Sequence, residues 1–153
     1  MQEFVHLHVH TQYSLLDGQT NIKKLVDKAI ADGMKGVAVT DHGNMMGIKE
    51  FKNYCDKVNK DLKEKGQHFK PIIGCEVYVA PRHKEQRESK ELDGANYHLI
   101  LLAKNEKGYH NLIKIVSRAW TDGFYSHPRT DKYDLEKYHE GIICCSACLG
   151  GEV

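Results

Sequence analysis

Short apolar runs alternate along this chain with stripes of apolar residues at helical spacing, and few residues separate one from the next. Such alternation predicts parallel βα units joined by right-handed crossovers, which build either an open sheet or a barrel. The runs are Phe4 to His10, Val37 to Thr40, Ile72 to Val79, Tyr97 to Ala103 and Gly141 to Cys145. Three stripes lie between them. The first is Ile22, Leu25, Val26, Ala29 and Ile30, with Asn21 as N-cap and Gly33 as stop; the second is Ile48, Phe51, Cys55, Val58 and Leu62, running out at Gly66; the third is Tyr109, Leu112, Ile113, Val116 and Ala119. The stretch Pro81 to Gly94 carries four basic and four acidic residues and reads as a solvated loop, and a polar connection from Thr121 to Tyr133 leads to a short helix from Asp134. Five strands leave a barrel unclosed, and the last has no following helix, so the chain reads as an α/β domain incomplete at its C-terminus.

The first run sets the chemistry. In a strand, alternate side chains share a face, so His6, His8 and His10 point one way while Val5, Leu7 and Val9 point into a core. A solvated strand face is the ordinary reading of such histidines. Here, however, Asp17 follows at a turn, and the second run ends directly in Asp41-His42. Parallel α/β folds build their sites at strand ends. Mixed imidazole and carboxylate donors suit zinc, iron or manganese in a catalytic rather than a closed structural site. His6 lies deeper in the run and reads as a packed or supporting residue.

Glu76 stands inside Ile72-Ile73-Gly74-Cys75-Glu76-Val77-Tyr78, where a buried carboxylate is costly unless a cation or hydrogen bonds compensate it. Cys145 and Cys148 form a C-x-x-C without a second pair, so Cys144 and Cys145 read as core and Cys148 as a thiolate within reach of a site. His98 alone reads as structural, and His68, His83, His110, His127 and His139 as surface residues. With 22 basic and 21 acidic residues there is no bulk field for coating nucleic acid, so any such contact must be local. Five cysteines without a signal-like start, and no membrane-length apolar run, point to a reducing cytoplasm and no membrane partner.

His8-Val9-His10-Thr11 with Asp17, Thr40-Asp41-His42-Gly43-Asn44, Gly74-Cys75-Glu76 and Tyr97-His98-Leu99 resemble the polymerase and histidinol phosphatase (PHP) domain family. More narrowly, Tyr13 to Gly18, Leu101 to Asn105, Gly108-Tyr109 with Asn111-Leu112, Gly123-Phe124-Tyr125 with Pro128-Arg129, and Ser146 to Gly150 resemble the N-terminal part of bacterial DNA polymerase III α subunits. The resemblance covers the whole chain. It implies a distorted (β/α)7 barrel with two or three divalent metal ions, zinc foremost and manganese or iron as alternatives. It also implies His8, His10, Asp17, His42, Glu76, His98 and Cys148 as metal ligands. Two further ligands of the family, an Asp-x-His pair, have no counterpart in these residues, so the piece alone is expected to bind metal and act weakly.

The activity implied is a metal-dependent phosphoesterase serving as a 3′–5′ proofreading exonuclease on a DNA primer terminus, with Glu76, Asp17 and His42 as the catalytic set. Glu76 is the expected bridge. Arg118 and Arg129 are candidates for phosphate contacts, since guanidinium forks match phosphate oxygens. The implied partners are the polymerase domains of the same parent chain and replisome subunits such as a separate exonuclease or sliding clamp. Two other readings remain: a structural or docking module of the polymerase, and a free-standing histidinol-phosphatase-like enzyme.

Overall fold

A computed structural model of the protein describes residues 4–152. Five strands, β1 (Gly36–Val39), β2 (Lys70–Val79), β3 (Tyr97–Ala103), β4 (Arg129–Thr130) and β5 (Ile142–Ser146), form one sheet of order β1-β2-β3-β5, with β4 paired to β2. Five helices accompany them: α1 (Ile22–Ala31), α2 (Ile48–Glu64), α3 (Lys90–Asp93), α4 (Glu106–Thr121) and α5 (Lys132–Tyr138). The helical stripes form helices where their spacing predicts. Asn21 caps α1 by accepting from the amides of Lys23 and Lys24, and Gly33 and Gly66 take the left-handed conformation just past α1 and α2.

The expectation of parallel units throughout is corrected. β1 and β4 run parallel to β2, but β3 is antiparallel to β2, and β5 is antiparallel to β3. The cause lies in the link after β2. A parallel partner needs a crossover of a dozen or more residues, usually helical, whereas residues 80–96 contain only the one-turn α3. The start of β3 therefore sits at the same end of the sheet as the finish of β2, with Tyr97 opposite Val79.

Two hydrophobic clusters lie beneath the helices, one around Ile22, Val26, Val39, Phe51 and Phe69 under α1 and α2, the other around Cys75, Val77, Leu101, Leu112 and Ile115 under α4. Each large side chain so buried contributes about 1.5–3 kcal/mol. A third cluster joins Ala38, Ile100 and Leu102 with Ile72, Cys145 and Ala147. Ile100 is only 1% exposed. Gly74 lets β3 approach closely, since a Cβ at that position would meet Leu101 O at 2.7 Å and Leu102 Cδ2 at 2.6 Å.

Phe4 to His10 is not a ladder strand. The segment lies beside β1, with the amides of Ala38 and Thr40 donating to the carbonyls of His6 and Val9, but the Thr40 hydroxyl accepts the Val9 amide that a regular ladder would use. Leu7 is 44% exposed, and His6 is exposed against the ring of Phe4 instead of packed. Cys144 is exposed rather than core, because among the described residues β5 is paired along β3 alone.

The charged stretch after β2 is more ordered than its composition implies. Lys84 and Asp93 are buried, Asp93 accepting from Arg82 Nε at 3.0 Å. Arg129 is fully buried and donates to the carbonyls of Asp93, Gly123, Lys84 and Gln86, so it is a structural clamp and not a phosphate contact. Arg118 is likewise engaged, by Asp134 at 3.0 Å and Asp122 at 3.2 Å.

Candidate metal centre

Four chain segments meet towards one end of the sheet. His8 and His10 come from the segment beside β1, His42 follows β1, Glu76 lies in β2 and His98 opens β3. The antiparallel course of β3 explains how a residue at the beginning of a strand joins residues at the ends of others. A bridge between His42 and Glu76 fixes their relative height.

Glu76 is the hub, 1% exposed. His8 Nε2 contacts its Oε2, and His10 Nε2 lies 2.8 Å from the same oxygen. On the other side, His98 Nδ1 is 2.5 Å and His42 Nδ1 3.7 Å from Oε1. His42 Nε2 then reaches Asp17 Oδ2 at 2.7 Å, with its ring stacked on His10 at 3.9 Å. Three groups of donors, each converging within 4.8 Å, result: His8, His10 and Glu76; His10, Asp17 and His42; His42, Glu76 and His98. Each group shares residues with a neighbour. Cys148, exposed, lies 3.4 Å from His98 Nδ1 through its sulfur but joins none of the three groups.

Hydrogen bonding alone leaves this cluster poorly satisfied. His8 Nε2 and His10 Nε2 are 3.1 Å apart while both face one carboxylate oxygen, and His42 Nδ1 and Glu76 Oε1 are buried without an aligned hydrogen bond. Native proteins rarely leave such groups unpaired. Lone pairs that converge in this way fit divalent cations of the zinc, manganese or iron type, whose preferred donors are imidazole and carboxylate. Burial pushes the Glu76 carboxyl up, but hydrogen bonds from His10 and His8 and the nearby charges of His42 and His10 outweigh it and hold it at about 2. The same contact with Glu76 raises His10 above its ordinary value, against the opposing effect of burial.

Behind the donors stands a set of buried supporting residues. Asp41, 1% exposed, accepts from the Thr11 amide at 2.6 Å, the Thr11 hydroxyl at 2.8 Å and the Ser14 hydroxyl at 2.7 Å. With its one proton given to Asp41, Ser14 Oγ receives the His42 amide and His10 Nδ1, both at 3.1 Å. That bond fixes the ring so that Nε2 faces Glu76, the usual way an outer partner orients a histidine whose Nε2 lone pair would go to a bound metal. Gly18 lets this loop fold back, because a Cβ there would stand 2.0 Å from Thr11 O. The signal was present in the sequence: an acid beside His42, and hydroxyl residues beside His10.

The fold and the site thus define an α/β domain with a shared histidine and carboxylate cluster at one sheet end. The chain belongs to the PHP domain family, whose model matches residues 6–153. It is 50% identical over 148 residues to the DNA polymerase III subunit alpha of Borreliella burgdorferi, and 45% identical over 150 residues to that of Treponema pallidum. These matches cover 97% and 98% of the chain but only 12% of either relative, so the chain spans about an eighth of their length. Among solved structures, a Bifidobacterium adolescentis protein assigned as a metal-dependent phosphoesterase shares the fold with a TM-score of 0.50, at 18% identity over 78% of this chain and 34% of that one. Among the described residues no helix is long and apolar enough to cross a membrane.

Proposed function

We propose that this chain is the PHP part of a replicative DNA polymerase α subunit and that its cluster is a metal-dependent phosphoesterase site acting as a 3′–5′ exonuclease on primer termini. The observation that carries the proposal is the chaining of three donor groups through His10, His42 and Glu76, an arrangement suited to neighbouring ions acting on one phosphate. Bound there, divalent ions would supply Lewis acidity and a water of lowered pKa. His8, His10, Asp17, His42, Glu76 and His98 would hold them, and Cys148 stands beside His98 as a further donor. Glu76 supplies the shared negative charge, being ionised across the neutral range, and Ser14 and Asp41 hold His10 and the Asp17 loop in register. The relatives' names support DNA as the substrate and the polymerase as the parent chain.

The test is cleavage of primers with a mispaired 3′ end by the full-length protein purified without chelator. Metal-dependent release of nucleotides, abolished by His42→Ala, is the expected result. If metal-loaded protein leaves such primers intact, the cluster is a structural clamp and the domain a docking module. Activity confined to small phosphomonoesters would favour a histidinol-phosphatase-like enzyme.

A further inference from the structure

Trp120 lies in the last turn of α4. Its Nε1–H donates to the carbonyl of Gly43 at 2.8 Å, and Gly43 directly follows His42. Consecutive Cα atoms are about 3.8 Å apart, so the indole is fastened one residue from a donor of the cluster. Phe124 stacks on it, with centroids 5.6 Å apart and planes inclined by 27°. Both rings remain 44% exposed. With its N–H satisfied by the backbone, the indole has no polar demand left, and what it presents to solvent is aromatic surface.

Next to this pair lies an exposed cation. Arg87 is exposed, donates to the Asp122 carbonyl at 2.8 Å just before Gly123 and Phe124, and has no carboxylate partner among the described residues. An apolar protein contact would have no use for that charge, whereas a nucleic-acid strand needs both an aromatic face for a base and a cation for a phosphate.

We propose that the Trp120–Phe124 stack is a platform for a base of single-stranded DNA whose neighbouring phosphate enters the donor cluster, with Arg87 meeting the backbone beyond it. The placement of the phosphate rests on the phosphoesterase reading of the cluster; the stacking does not. Every base has an aromatic face, so the platform is indifferent to sequence, as a site working on arbitrary primer ends must be.

Trp120 is the chain's one tryptophan, so its fluorescence reports on the platform directly. The metal-free chain, held in chelator to stop cleavage, is titrated with a short thymidylate oligonucleotide and with an abasic oligonucleotide of equal length. Saturable quenching by the first and little by the second is expected, with binding weakened about tenfold by Phe124→Leu, a loss typical of one base stack. Arg87→Ala should flatten the salt dependence of binding without altering the quenching at saturation. Equal quenching by the abasic strand, quenching by neither, or unchanged affinity in Phe124→Leu with its circular dichroism intact would overturn the proposal. Quenching without cleavage by metal-loaded protein leaves the platform standing and removes the phosphoesterase reading. Cleavage without quenching does the reverse.

Discussion

Replacing Asp41 by alanine tests whether the loop carrying Asp17 is held from behind. Asp41 is buried and accepts three hydrogen bonds, from the Thr11 amide and from the hydroxyls of Thr11 and Ser14. A hydrogen bond to a charged group contributes about 1.5–3 kcal/mol. Taking the low end for each, because water can enter the gap, the loss is about 4–5 kcal/mol, a large share of the roughly 5–15 kcal/mol that holds a domain together. Asp41→Asn keeps the shape and an acceptor oxygen, and should lose about 1–2 kcal/mol. Urea unfolding measures both. The same variants should bind zinc about 10–100-fold more weakly, because Ser14 no longer orients His10. An Asp41→Ala protein within about 1 kcal/mol of the parent, with unchanged zinc affinity, would refute the argument.

Other perturbations separate structure from chemistry. Arg129→Met should destabilise by about 3–5 kcal/mol in urea by stranding four buried carbonyls, and Lys should not rescue it, since an ammonium cannot reproduce the guanidinium fork. Gly18→Ala places a methyl group against Thr11 O, so isothermal titration should show weakened metal binding. Burial pushes the Asp131 carboxyl up, but the amides of Asp134 and Lys84 and the Lys84 ammonium draw it below its ordinary value. A depressed carboxyl stabilises the fold above its unfolded value of about 3.9 and loses that stabilisation as pH falls. Asp131→Asn should therefore flatten the acid side of the stability profile.

How far the sequence could be read depended on whether a feature was local. The span of β3 and the caps of α1 follow from periodicity and from Asn21 and Gly33, because those signals act within a few residues. The direction of β3 is set by what connects it to β2, and the charged stretch 81–94 held that information in its lack of a long helical stripe. The same reversal brings His98 to the cluster, although it begins its strand. Arg129 reads from sequence as a candidate phosphate contact because nothing in its neighbours shows that Lys84 and Asp93, dozens of residues earlier, close over it. His8, His10, Asp17, His42 and Glu76 stand out by residue type and context, His98 only through the family resemblance, and the sequence offers Asp41 and Ser14 as residues without showing that the loop and β1 bring them together.

Metal content in the Glu76→Gln protein is the most direct test of the central claim. The substitution is nearly isosteric at a site 1% exposed, and it removes the charge that two of the three donor groups share. The full-length protein, purified without chelator and analysed by plasma mass spectrometry, should carry two or three divalent ions in the wild type and lose more than one of them in Glu76→Gln, with circular dichroism unchanged. Equal metal content in the two proteins would contradict the account.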